Sequence, residues 1–152
     1  MYTESDERFM LLALVEAQRA EDAGEVPVGA VVVIGDAVVA SGYNRPISSN
    51  DPTAHAEMIA LREAARHCGN YRVPGATMYC TVEPCMMCAG AMIHARIDRL
   101  VFGTPDPKAG SAGSIYNVLT DPRLNHRVEV ISGICEDECA ALLRAFFSRR
   151  RE

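Results

Sequence analysis

Three side chains that commonly bind transition metals lie in two separate segments of this chain. His55 belongs to the tripeptide His-Ala-Glu, and Cys85 and Cys88 belong to Pro-Cys-Met-Met-Cys. Imidazole and thiolate groups are preferred zinc ligands. If the three side chains share one ion, the fold must bring both segments to one point, so their spacing constrains the architecture more tightly than the composition does.

Helical and strand patterns alternate around these segments. Apolar residues recur at helical spacing over 6–23, and β-branched residues fill 28–34 and 37–43 on either side of a Gly35-Asp36 turn. Gly69 marks the end of a later helix, and Pro84 opens the one after it. The remaining patterns predict a polar loop at 44–50, helices at 54–67, 84–95 and 136–150, strands at 76–82, 99–103 and 127–132, and a short helix at 114–119.

Five strands separated by helices predict an α/β fold. We expect a three-layer α/β/α sandwich, with helices on both faces of a mixed five-stranded sheet that begins as an antiparallel hairpin. An α+β domain with all its helices on one side is the alternative. The chain has 152 residues, of which 49% are hydrophobic, which is enough apolar material for one core. A single domain over 1–152 follows.

The charge balance and the N-terminus restrict the partners. A formal net charge of −5 argues against an RNA-binding surface over the whole molecule, because phosphate affinity comes from accumulated lysine and arginine. The helix at 136–150 is the exception, since its end interleaves arginine with phenylalanine and is a candidate RNA contact; a solvated helix end is the alternative. The acidic N-terminus and the lack of a long apolar stretch predict a soluble, cytoplasmic protein without membrane contact.

The chain has six cysteines. A disulfide scaffold would need a secreted context and a chain too small to bury a core, and neither condition holds. We therefore interpret Cys85 and Cys88 as metal ligands or a redox pair. We expect the others to be packing residues: Cys68, Cys80, Cys135 and Cys139.

The number of metal ligands favours catalysis. A structural zinc site is normally closed by four protein groups, whereas three leave a position for water. Zinc acidifies bound water, and Glu57 is placed to take the proton and deliver it to a substrate. Because His55 and Glu57 do not share a helix face, the metal would lie beyond the helix tip. A noncatalytic zinc module and a thioredoxin-like redox site are the alternatives.

The pattern H-x-E followed by P-C-x-x-C resembles that of zinc nucleobase deaminases, in the cytidine and deoxycytidylate deaminase superfamily. The longer blocks at 25–30, 51–57, 83–94 and 125–128 and the pair Phe146-Phe147 resemble the bacterial tRNA-specific adenosine deaminases, over nearly the whole chain. This resemblance implies a cytidine deaminase-like fold, one Zn²⁺ per subunit and a homodimer. It also implies hydrolysis of adenosine to inosine at the wobble position of a tRNA anticodon stem-loop, with release of ammonia and no DNA substrate.

The resemblance also implies roles for individual residues. Asn44 would hydrogen-bond the target nucleoside, Val26 and His55 would flank the base, and Asp106 would contact the neighbouring ribose. Prolines on both sides of Asp106 should stiffen its loop. A deaminase of free cytosine, guanine or cytidine is the alternative function. Basic and aromatic character near the resembling blocks adds four candidate RNA contacts: Lys108, Phe147, Arg150 and Arg151.

Overall fold

The computed structural model of the chain describes residues 3–150. Five helices and five strands follow one another along these residues. In chain order they are α1 (Glu4–Asp22), β1 (Gly29–Ile34), β2 (Ala37–Tyr43), α2 (Pro46–Ser49), α3 (Ala56–Cys68), β3 (Ala76–Val82), α4 (Met86–Ala95), β4 (Arg99–Thr104), β5 (Glu129–Ser132) and α5 (Glu136–Arg150).

The five strands form one mixed sheet in the order β2-β1-β3-β4-β5. β1 is antiparallel to both β2 and β3, whereas β3, β4 and β5 are parallel to one another. The β1–β2 turn has positive φ angles at Gly35 and Asp36, 57° and 63°, which a tight two-residue hairpin requires. The predicted hairpin and mixed sheet are therefore confirmed.

Alternate residues of β1, β3 and β4 face two separate cores. In β1, Ala30 and Val32 pack in a cluster that includes α3 and α4, and Val31 and Val33 pack in a second cluster that includes α1 and α5. This period of two is what a strand buried on both faces produces. The predicted three-layer α/β/α sandwich is confirmed, and the one-sided α+β alternative is wrong.

The helix that begins at Ala56 lies directly on the backbone of β2. A Cβ atom at Gly42 would lie 2.6 Å from the carbonyl oxygen of Ala56, so no larger residue fits there without displacing one of the two elements. On the opposite face, a Cβ atom at Gly29 would collide with the carbonyl oxygen of Ala13 in α1. Two glycines thus let a helix approach the sheet closely on each side, and one of these helices begins beside His55.

Three predictions from sequence are wrong in detail. The segment at 114–119 contains turns and an isolated bridge instead of a helix, because the N–H groups of Ile115 and Tyr116 both donate to the carbonyl of Gly110. The loop at 44–50 contains the one-turn helix α2, which tertiary contacts hold. Cys68 is exposed and is not a packing residue, whereas Cys80 is buried as expected. Among residues 3–150, no helix combines the length and apolarity needed to cross a bilayer.

Candidate active site

Two helix starts bring the metal-ligand segments together. His55 is the N-cap residue of α3 and Cys85 is the N-cap residue of α4, both with extended backbone, and Cys88 lies in the first turn of α4. The sequence had predicted that α4 begins at Pro84, one residue before this N-cap. Backbone N–H groups at the two helix N-termini favour negative charge, and therefore thiolate over thiol.

The three candidate ligand atoms have the spacing of a tetrahedral zinc site. Nδ1 of His55 lies 3.5 Å from Sγ of Cys85 and 3.5 Å from Sγ of Cys88, and all three atoms lie within 4.8 Å of one another. Tetrahedral bonds of about 2.0 Å to nitrogen and about 2.3 Å to sulfur separate the two ligand atoms by about 3.5 Å. The donor set and its spacing therefore fit one zinc ion, with one vertex left for a further ligand.

The electrostatics of the cluster favour a thiolate at Cys85. Hydrogen bonds from the Cys88 thiol and the His55 ring outweigh burial and lower the pKa of Cys85 to about 3. The same contact with Cys85 raises the pKa of Cys88 and that of His55 above their ordinary values. The contacts within the cluster thus favour a deprotonated sulfur at Cys85, which is the form that binds a cation.

Glu57 lies in the first turn of α3 and is 4% exposed. Burial raises the pKa of its carboxyl group from the ordinary 4.5 to about 7. A carboxyl group with a pKa near neutral can both accept and donate a proton at physiological pH, which is what a general acid–base needs. Glu57 is not part of the three-ligand cluster, so a proton-transfer role does not compete with metal binding.

The predicted substrate residues Asn44 and Val26 are connected to the start of α3. Oδ1 of Asn44 accepts the backbone N–H of Ala56 at 2.9 Å. The backbone N–H of Asn44 donates to the carbonyl oxygen of Val28, and the N–H of Val28 donates to the carbonyl of Val26. Val26 is half-buried. A chain of hydrogen bonds therefore runs from the Val26 segment through Asn44 to the helix start that follows His55.

The loop after β4 carries Asp106 and Lys108. β3 and β4 are parallel neighbours, with Val82 paired to Thr104, so the segments after both strands leave the same edge of the sheet. The backbone N–H of Asp106 donates to Glu83 at 2.9 Å, two residues before Cys85. Oδ1 of Asp106 accepts the N–H of Lys108, whose side chain is exposed. Asp106 thus lies in a loop attached to the Cys85 segment, at the edge where open α/β sheets bind ligands.

The end of α5 lies against the segment that precedes β1. The guanidinium of Arg150 donates to the carbonyl oxygen of Gly24 at 2.8 Å and lies 4.9 Å above the ring of Phe146. Phe147 is 44% exposed and meets Phe146 edge to face. The end of the candidate RNA-contact helix therefore contacts Gly24, which precedes Val26 by two residues in the sequence. The predicted contact Arg151 lies outside the described residues.

Two buried carboxylates have structural roles that the sequence did not reveal. Glu25 is 1% exposed and accepts the N–H groups of Ile47 and Ser48 in α2. Glu83 is 3% exposed and accepts N–H groups from the Asp106 loop. For Glu83, its position directly after a buried strand was the available signal. The partners of both glutamates lie 22 to 31 residues away and cannot be identified from local pattern.

Comparison with known proteins gives consistent matches. Residues 3–104 match the family described as the cytidine and deoxycytidylate deaminase zinc-binding region, a range that includes His55, Glu57, Cys85 and Cys88. The tRNA-specific adenosine deaminase of Haemophilus influenzae is 50% identical, over 99% of this chain and 87% of its own length. That of Bacillus subtilis is 46% identical, over 97% of this chain and 91% of its own. A solved structure from work on A-to-I editing by tRNA:A34 deaminases is 46% identical and superposes with a TM-score of 0.86, over 90% of this chain and 99% of that chain.

Proposed function

The chain belongs to the cytidine and deoxycytidylate deaminase family, and we propose that it hydrolyses adenosine to inosine at wobble position 34 of a tRNA anticodon, releasing ammonia. The observation that carries the proposal is full-length similarity to tRNA-specific adenosine deaminases. The cluster of His55, Cys85 and Cys88 next to the helix turn of Glu57 supplies the residue types that this chemistry needs.

The proposal assigns one zinc ion to each subunit, held by His55, Cys85 and Cys88. When bound, zinc acts as a Lewis acid that makes a water molecule lose its proton near neutral pH. The distances of 3.5 Å from the imidazole nitrogen to both sulfurs support this assignment.

Glu57 moves the protons in this proposal. Its carboxylate accepts the proton that water loses as the oxygen adds to C6 of the adenine ring. Glu57 gives this proton to N1 of the ring, then takes the remaining proton of the added hydroxyl and passes it to the amino group, so the C6–N bond breaks, the C6 carbonyl forms and ammonia leaves. The pKa of about 7 suits both steps, because neither protonation state of Glu57 is strongly disfavoured at neutral pH.

The substrate residues hold and orient the adenosine. Oδ1 of Asn44 is occupied by the N–H of Ala56, so its NH₂ group is the part of the amide that can donate to the nucleoside. Val26 gives an apolar wall for the base, opposite His55. Asp106 contacts the ribose of the neighbouring nucleotide from its loop.

A tRNA anticodon suits a protein that is acidic overall. The bases of an anticodon loop are unstacked, so moving one of them into the site costs less than extracting it from a duplex. Contacts from a few local groups are then sufficient, despite the net charge of −5. Lys108, Phe147, Arg150 and Arg151 stay predictions for these contacts.

We also propose a homodimer that works in the cytoplasm, where its tRNA substrate would be met. Exposed apolar side chains at the start of α4 and in the loop that contacts Glu83 support the dimer: Met86, Ile115 and Tyr116 are about half exposed. Light scattering should give twice the chain mass of 16.5 kDa. The monomer mass at micromolar concentration would contradict the dimer.

The test compares an anticodon stem-loop containing A34 with free adenosine, guanine, cytosine and cytidine. Purified protein should convert A34 to inosine, read by sequencing as a change from A to G, and should leave the free compounds unchanged. Deamination of a free compound without editing of the stem-loop would support the alternative function and contradict this proposal.

A further inference from the structure

Glu83 is a buried residue that connects the Cys85 segment to the Asp106 loop. It follows β3 directly and precedes Cys85 by two residues. Its side chain faces the loop after β4, and it is 3% exposed. None of the catalytic steps above uses this carboxylate, so its burial needs a separate explanation.

Both oxygens of Glu83 are fully used by the Asp106 loop. Oε1 accepts the backbone N–H of Asp106 at 2.9 Å and the hydroxyl of Ser114. Oε2 accepts the N–H groups of Ala112 at 2.9 Å and Ser114 at 3.0 Å. Four donors thus surround one anion that has no cationic partner among them.

The fit between Glu83 and the loop leaves no spare room. A Cβ atom at Gly110 would collide with the carboxyl carbon and both oxygens of Glu83. The N–H of Gly110 also donates to the carbonyl of Asp106, which closes the loop on itself. The position of Asp106 is therefore determined by the Glu83 carboxylate and by the absence of a side chain at Gly110.

We propose that Glu83 is a positioning residue that fixes the Asp106 loop in the conformation that receives the nucleotide next to the target adenosine. The inference rests on the proposed function for its substrate. Glu83 acts through Asp106 and does not itself touch RNA. This position requires a carboxylate, because only an anion with two acceptor oxygens can accept two donors at each oxygen.

Glu83→Gln tests the requirement with little change of size. A glutamine offers one oxygen, and its NH₂ group would face two N–H or O–H donors, so two of the four hydrogen bonds are lost. We expect KM for the A34 stem-loop to rise about tenfold or more and kcat to change about twofold or less, with zinc content unchanged. Gly110→Ala should raise KM similarly, and the double variant should add little, since both changes release the same loop.

Trypsin gives a readout that does not depend on activity. Lys108 is an exposed cleavage site within the loop. Release of the loop from Glu83 should speed cleavage after Lys108 at least about fivefold in Glu83→Gln, because proteolysis follows local opening. Ser114→Ala, which removes a single donor at an exposed residue, should give a smaller increase and keeps the test informative if Glu83→Gln does not fold.

Asp6→Asn is the matched control, because Asp6 is a buried carboxylate with several donors in the other core cluster. It should lower stability without raising KM or speeding cleavage at Lys108. The inference would be overturned if Glu83→Gln left KM and the cleavage rate unchanged, or if Glu83→Gln lost zinc. It would also be overturned if Asp6→Asn raised KM and sped cleavage at Lys108 as Glu83→Gln does. Failure of the wild-type protein to edit the stem-loop would instead contradict the proposed function, and the trypsin result would still decide whether Glu83 holds the loop.

Discussion

Oδ1 of Asn44 accepts the backbone N–H of Ala56 at 2.9 Å. Ala56 is the first residue of α3, between His55 and Glu57, so a side chain at the end of β2 caps the helix that presents both groups. His55, the N-cap residue, makes no capping hydrogen bond with its own side chain. An imidazole that bound a metal through Nδ1 would have no acceptor left for capping, and Asn44 caps the helix from a distant position.

Substitutions at Asn44 should separate its two roles. Asn44→Asp keeps an oxygen that can cap α3, and a negative charge is favourable at a helix N-terminus, so the free energy of unfolding should change by less than about 0.5 kcal/mol. Activity should fall at least about tenfold, because the NH₂ donor to the nucleoside is gone. Asn44→Ala should lose about 1 kcal/mol as well as activity. Denaturant unfolding and kcat/KM measure the two effects; full activity in Asn44→Asp would show that the donor is not used.

Glu57→Gln should retain zinc and lose turnover. The glutamine fills the same buried space but cannot accept a proton, so kcat should fall by about 10²- to 10⁴-fold. Metal analysis and single-turnover assays on the stem-loop give the two quantities. Glu63→Gln, at an exposed position on the same helix, is the control and should behave as the wild-type protein. An active Glu57→Gln enzyme would remove Glu57 from the mechanism.

Much of the architecture could be predicted from sequence because its signals are local. Glycines after two helices, the Gly35-Asp36 turn and runs of β-branched residues identify the elements, and five strands separated by helices predict the layered sheet. His55, Cys85 and Cys88 were identified by residue type, since few side chains bind zinc. The structure brings them to one point at two helix N-caps.

The remaining features depend on partners that are distant in sequence. α2 forms where Glu25 accepts two of its N–H groups, and Glu83 accepts the N–H groups of Ala112 and Ser114 on either side of Gly113. In both places a buried carboxylate from another part of the chain holds the backbone conformation. Local propensity contains no information about such a contact, so sequence reasoning could neither place these segments nor assign the two glutamates.

Asp6 should make stability depend on acidic pH. It forms a two-pronged ion pair with Arg99 and accepts the hydroxyl of Tyr79. Burial opposes ionisation, but these hydrogen bonds lower the pKa of Asp6 from 3.8 to about 2. Because the folded-state pKa is lowered, the stabilisation is complete above about pH 4 and disappears as the pH falls towards 2. The expected size is about 2 kcal/mol.

Denaturant unfolding of the wild-type protein and Asp6→Asn at several pH values measures this contribution. The difference in unfolding free energy between the two proteins should be largest at pH 5 and above and should shrink between pH 4 and 2. Comparing the difference cancels effects common to both proteins, such as zinc release in acid. A difference that stays constant with pH would mean that the Asp6 charge is not responsible.

Gly42→Ala should disturb the candidate metal site by pushing the start of α3 away from β2. The added methyl group would press on the carbonyl of Ala56 and displace the first turn of the helix, at a cost of about 1–3 kcal/mol. Zinc should then be lost more readily to a competing chelator. Gly29→Ala, which presses on α1 at the other face, is the matched control and should cost stability while leaving zinc retention unchanged. Equal zinc loss in both variants would indicate general unfolding.

Alanine at both Arg150 and Arg151 should weaken binding of the tRNA stem-loop. Each phosphate contact that is lost should also lower the slope of log affinity against log salt by about 1. Fluorescence anisotropy at several salt concentrations measures both effects. Arg8→Ala removes an exposed arginine from the beginning of α1 and should change neither. Unchanged binding in the double variant would exclude Arg150 and Arg151 as RNA contacts.

Anomalous X-ray scattering at the zinc absorption edge shows whether a zinc ion is bound by His55, Cys85 and Cys88. Crystals of protein purified without chelator should give one strong peak per chain above the edge and none below it. We predict that this peak lies within bonding distance of Nδ1 of His55 and the sulfurs of Cys85 and Cys88. The absence of a peak between these three atoms, or a zinc ion bound by other residues, would contradict the account.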